Sequence, residues 1–101
     1  MTFYKVIRSK NSTVVEVKGH ADYDDKGYDI VCAGISIATL MTANLIDKLA
    51  PLEVLDLIAE DGYFRLQVNT SDLVIRDIFD NLVDTLDALQ AEYPAYIKIK
   101  N

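Results

Sequence analysis

Hydrophobic and polar residues alternate from Thr2 to Arg8, with Tyr4 and Val6 on one side and Phe3, Lys5 and Ile7 on the other. This is the period-two signature of a strand with two unlike faces. Ser9-Lys10-Asn11-Ser12 gathers turn formers, and Thr13 to Gly19 alternates again, setting Val15 and Val17 opposite Glu16 and Lys18. Carrying that count one step past Gly19 puts His20 on the polar side.

The pattern then changes period. Asp29 is a predicted N-cap for a helix running to Leu49 and ending near Ala50-Pro51, rich in the small residues Ala33, Gly34, Ser36, Ala38 and Ala43. Leu52 to Ala59 and Tyr63 to Val68 read as a hairpin around Glu60-Asp61-Gly62. Thr70-Ser71-Asp72 offers capping oxygens to a second helix, in which Ile75, Ile78, Phe79, Leu82, Leu86, Leu89 and Tyr93 recur at helical spacing. Pro94 ends it, and Ala95 to Lys100 alternates as a closing strand with Ile97 and Ile99 inward. The expected fold is α+β, in the order β-β-α-β-β-α-β. It is a two-layer sandwich with one mixed or antiparallel sheet covered on one face by two helices, forming a single domain over residues 1–101.

Composition narrows the partners. The chain has 101 residues, half of them apolar, and a net charge of −6. A nucleic-acid backbone would be repelled by most of such a surface, so no direct nucleic-acid binding is expected, and a basic partner is favoured. One cysteine makes no internal disulfide, and no secretory leader precedes the first strand, which points to the reducing cytoplasm. The longest uncharged run, Ile30 to Ile46, is 17 residues. That is short of the ~20 a membrane span needs, so it reads as a buried helix and no membrane partner is expected.

The only histidine, His20, and the only cysteine, Cys32, flank one short loop, Asp22-Tyr23-Asp24-Asp25-Lys26-Gly27. The loop can fold the imidazole back toward a thiol in the first turn of the helix, where the orphan amides and the helix dipole favour a thiolate and an oxyanion. His20 is then a candidate general acid/base for a Cys32 nucleophile. The orienting group would be Asp22, Asp24, Asp25 or Asp29, and spacing does not choose among them. Taken without further context, a lone cysteine in an apolar helix is a small buried hydrophobe. A redox-responsive thiol lacks a second cysteine to resolve it. One His and one Cys lack the paired spacing of metal ligands, so neither metal nor cofactor is expected. The loop has a terminal glycine and few apolar anchors, so it is expected to be mobile and to close over a bound peptide.

The compound pattern Gly19-His20-Ala21, then Gly27-Tyr28-Asp29-Ile30-Val31-Cys32-Ala33-Gly34-Ile35-Ser36, resembles the ribosomal-processing cysteine protease family. The resemblance implies Cys32 as nucleophile and His20 as its partner, with Asp29, Ala33 and Ser36 as supporting motif residues. It implies removal of a short N-terminal extension from a large-subunit ribosomal protein, and a homodimer. The alternative is a catalytically silent ribosome-associated binding module with a buried structural thiol. The loop is more acidic than the family's, which suits a basic peptide but, close to the sulfur, raises the thiol pKa.

Overall fold

The computed structural model describes residues 1–100. Strands β1 (Thr2–Arg8) and β2 (Ser12–Lys18) are followed by helix α1 (Ile30–Leu49), strands β3 (Val54–Glu60) and β4 (Tyr63–Asn69), helix α2 (Leu73–Glu92) and strand β5 (Ile97–Ile99). The strands form one sheet in the order β3-β4-β2-β1-β5, and the expected two-layer architecture holds. All neighbours are antiparallel except β1 and β5, which run parallel, so the first and last strands of the domain lie side by side.

Alternation decides which face is covered. Tyr4, Val15, Val17, Phe64, Leu66 and Val68 point toward the helices and are all buried, each such side chain contributing about 1.5–3 kcal/mol on leaving water. From above, α2 supplies Ile75, Phe79, Leu82, Val83 and Leu86, and α1 supplies Val31, Ile35, Thr39, Ala43 and Ile46. Both caps are aspartates: the Asp72 carboxylate accepts from the amides of Val74 (2.8 Å) and Ile75 (3.4 Å), opening α2 where expected. The Tyr4 ring is fully buried in the core, and its hydroxyl donates to Asp87 on α2 at 2.5 Å.

Three expectations need correction. The closing strand is shorter than predicted, and Ile99 is 36 % exposed because it sits at the sheet's edge; Ile97 is buried. A 3₁₀ turn over Pro51–Glu53 precedes β3, delaying that strand by two residues. The helix α1 is buried on one face only, since Ile37 (60 %), Leu40, Met41 (67 %) and Leu45 look outward. Its apolar density therefore serves two surfaces, where the sequence suggests one.

Candidate active site

Asp29 organises the start of α1. One carboxylate oxygen accepts from the Cys32 amide at 2.9 Å, and the other accepts from the amides of Tyr23 (2.9 Å) and Asp24 (3.4 Å). A single side chain therefore caps the helix and gathers the loop that precedes it. Burial pulls this carboxyl up, but the three amide donors outweigh it and leave it below the usual carboxylate range. Asp29 is thus spent as a cap and loop clamp. The same arrangement occupies the Cys32 amide, while the Ala33 amide donates to the Asp29 carbonyl at 3.0 Å. The oxyanion role expected of the first turn falls on neither of them.

The thiol itself is partly buried, and the Ala21 amide donates to its sulfur at 3.2 Å. Burial is the main reason its pKa lies above the ordinary cysteine value; the Asp29 carboxylate pushes the same way, and the Ala21 amide opposes both. The net direction is opposite to the depression expected at a helix N-terminus. In the free protein at neutral pH, Cys32 is a protonated thiol waiting for a base.

His20 lines the same two concavities as Cys32, by a route the strand pattern did not anticipate. Strand β2 ends at Lys18, and the chain turns at Gly19 (φ +93°), whose amide donates to the Gly62 carbonyl at 2.9 Å. The parity count stops there. The imidazole lies against the β3–β4 turn, so close that a methyl at Gly62 would stand 2.9 Å from Nε2. Among the described residues, no hydrogen bond joins His20 to Cys32 or to an aspartate. The carboxylate expected to orient the imidazole is replaced by packing on backbone.

Two concavities meet at this pair. One, of about 280 Å³, runs between α1 and the β3–β4 hairpin and is walled by Val17, Ile35, Leu40 and Phe64. The other, of about 500 Å³, lies under the loop and is walled by Asp22, Asp24, Asp29 and Asp61, with Lys26 among them. His20, Cys32, Ser36 and Asp61 border both. The result is a groove that is acidic under the loop and, on the other side of the sulfur, mixes apolar walls with the carboxylates of Glu60 and Asp61.

The other predicted residues divide. Ser36, one turn after Cys32, faces the groove, and Ala33 and Gly27 line its acidic side. Asp25 closes a turn by accepting the Tyr28 amide at 2.9 Å. Tyr23 packs away from the groove, edge-on to Tyr96 (5.0 Å between centroids) and Tyr93 (5.8 Å), so the loop has an apolar anchor after all. Asp22 (φ +59°) pairs with the Met1 ammonium at 3.2 Å. Asp61 and Gly62 border the site although their sequence signal marks only a turn. Among the described residues, no three His, Cys, Asp or Glu side chains converge as metal ligands.

A helix-borne thiol, a histidine from a strand end and a peptide-sized groove on a two-layer α+β frame define a cysteine peptidase. The family model for cysteine protease Prp matches residues 1–98, and the chain belongs to that family. It is 32 % identical over 90 residues to the ribosomal processing cysteine protease Prp of Staphylococcus aureus (strain Mu50), covering 86 % of this chain and 84 % of that one. To the Bacillus subtilis (strain 168) protein of the same name it is 29 % identical over 90 residues, covering 83 % and 80 %. Its fold superposes on the crystal structure of the S. aureus essential ribosomal processing protease Prp with a covalently linked product peptide. The TM-score is 0.87 at 28 % identity, over 99 % of this chain and 98 % of that one.

Proposed function

We propose that this protein is a cytoplasmic cysteine endopeptidase that removes a short N-terminal extension from a large-subunit ribosomal protein. The observation that carries this reading is that His20 and Cys32 border both of the concavities that form one groove. His20 takes the Cys32 proton as the peptide seats, and the thiolate attacks the scissile carbonyl. The imidazolium then protonates the leaving amine, the C–N bond breaks, and an acyl-enzyme remains. Water, deprotonated by the same imidazole, hydrolyses it and restores the thiol. The carboxylates that line the groove, Asp22, Asp24 and Asp61 among them, suit the basic residues of a ribosomal protein. The 22–27 loop swings on its Tyr23 anchor to admit and cover the peptide. A second copy of the chain covers the outward apolar stripe of α1, making a homodimer.

The test is incubation of the protein and of Cys32→Ala with a peptide spanning the extension junction of the ribosomal protein from the same genome, read by mass spectrometry. Cleavage at one bond by the wild type only is expected. The raised thiol pKa favours one rival, a silent ribosome-associated binding module. No cleavage by either protein, together with a thiol inert to iodoacetamide in the folded state, would select it.

A further inference from the structure

The face of the sheet opposite the helices carries a pattern that the peptidase chemistry does not use. The register aligns Lys98 on β5 with Phe3 on β1, Phe3 with Lys18 on β2, and Lys18 with Tyr63 on β4. Cation and aromatic therefore alternate in one row across four adjacent strands, at a strand spacing of about 4.8 Å. Phe3 is 37 % exposed, with the Lys100 ammonium 5.1 Å from its ring centroid; the Lys18 ammonium lies 5.7 Å from that of Tyr63. Lys5, one position along β1 from the row, points the same way. Among the described residues, Lys5, Lys98 and Lys100 have no ion-pair partner, whereas Lys18 pairs with Glu16 at 3.5 Å, a carboxylate that also accepts from the Tyr63 hydroxyl and lies 4.0 Å from Arg65. In a chain of net charge −6, this is a concentrated basic surface.

We propose that this open face binds single-stranded RNA. Phosphates meet the four lysines and a base stacks on Phe3, the combination by which flat sheets hold unpaired nucleic acid. The chain-wide charge argues against such a partner only as an average, because the acidic residues of the loop and of α2 lie away from this row, and the carboxylates on the same face, Glu16 on β2 and Glu60 opposite Tyr63 on β3, stand toward the β3 side of the sheet, away from Lys98 and Lys100 on β5. An acidic protein surface, such as α2 of a second copy, would satisfy the lysines but leave Phe3 without a stacking partner; a nucleotide satisfies both. The inference stands apart from the peptidase reading, since Lys98, Lys100 and Phe3 border neither concavity at Cys32.

The experiment is fluorescence anisotropy of a labelled oligouridylate of about 20 nucleotides, titrated with the full chain at roughly 50 to 200 mM KCl. Affinity is expected to fall with a log–log salt slope of about −3, as four phosphate contacts on a single strand predict. Lys98→Ala/Lys100→Ala should weaken binding on the order of tenfold at the lowest salt and about halve the slope. Phe3→Ala should weaken it several-fold with the slope unchanged, and Arg76→Ala on α2 should bind as the wild type does. Circular dichroism checks that each variant is folded. No anisotropy change at the lowest salt, or undiminished binding by the folded double variant, overturns the proposal. So does sedimentation showing that the double variant loses self-association while RNA binding stays intact, which would assign the face to a second copy.

Discussion

The imidazole of His20 rests on the backbone of Gly62, 42 residues further along the chain, with room for a hydrogen but not for a methyl: a carbon there would meet Nε2 at 2.9 Å and Cε1 at 3.4 Å. Gly62 also has φ +73°, so its turn and its contact both call for glycine. Gly62→Ala is expected to lower kcat/KM on the order of 100-fold by displacing the base. It should also cost about 1–2 kcal/mol of stability from the left-handed backbone. A double-mutant cycle separates the effects. In a His20→Ala background, Gly62→Ala should lose its effect on turnover and keep its effect on Tm. A full extra loss of turnover there would mean that Gly62 acts elsewhere.

Burial and the Asp29 carboxylate hold the Cys32 thiol up, so alkylation by iodoacetamide should climb with pH through a midpoint above the ordinary value of about 8.5. Asp29→Asn keeps an acceptor for the Cys32 amide and deletes the charge. Alkylation at pH 7.5 should then accelerate roughly two- to fivefold, with the midpoint lower but burial still acting. A wild-type midpoint well below 8 would contradict the resting thiol described above.

Tyr4 titrates far above the usual tyrosine range, first because it is buried and then because its hydroxyl donates to Asp87. A raised folded value means that the stability linked to this proton is fully present below the unfolded value near 10. It is lost progressively as the pH rises from there toward the folded value. Tyr4→Phe should cost about 1 kcal/mol at pH 7 for the lost hydrogen bond. It should also flatten the fall of Tm between pH 10 and 11 that the wild type shows. Parallel alkaline limbs for the two proteins would refute the assignment.

Met41, 67 % exposed at the centre of the outward stripe of α1, tests the proposed homodimer. Met41→Glu should sediment as one chain where the wild type sediments as two, with helix content unchanged and Tm measured at matched concentration. Identical sedimentation of both would place any dimer contact elsewhere.

Tyr23 tests the loop. Removing its ring with Tyr23→Ala deletes two edge-on contacts, each of about 0.5–1.5 kcal/mol. Limited proteolysis between residues 22 and 27 should quicken, and KM should rise more than kcat falls. Unchanged nicking would mean that the Asp29 clamp suffices.

Much of this architecture was legible because it is local. Period two marked β1, β2 and β4, period 3.6 marked α2, and Asp29 and Asp72 announced their helices as capping residues. Cys32 and His20 were legible as the only residues of their kind and through their flanking motif. What escaped was set by contacts distant in sequence. The parity that pointed His20 to the polar face ended at a positive-φ glycine, and its true neighbour, Gly62, belongs to another hairpin. Tyr23 looked like one residue of an acidic loop because its partners, Tyr93 and Tyr96, lie at the far end of α2. The thiol's raised pKa depends on burial and the Asp29 carboxylate outweighing the Ala21 amide, a balance of magnitudes that spacing cannot express.

The parallel pairing of β5 with β1 and the packing of Tyr23 on Tyr93 and Tyr96 give the site an order in time. His20 and Cys32 lie in the first third of the 101 residues, yet the rings that anchor their loop and the strand that closes their sheet lie in the last tenth. A growing chain therefore carries His20 and Cys32 before the frame that holds the loop between them. The loop between the two residues is therefore anchored only once the C-terminal end of the domain is in place.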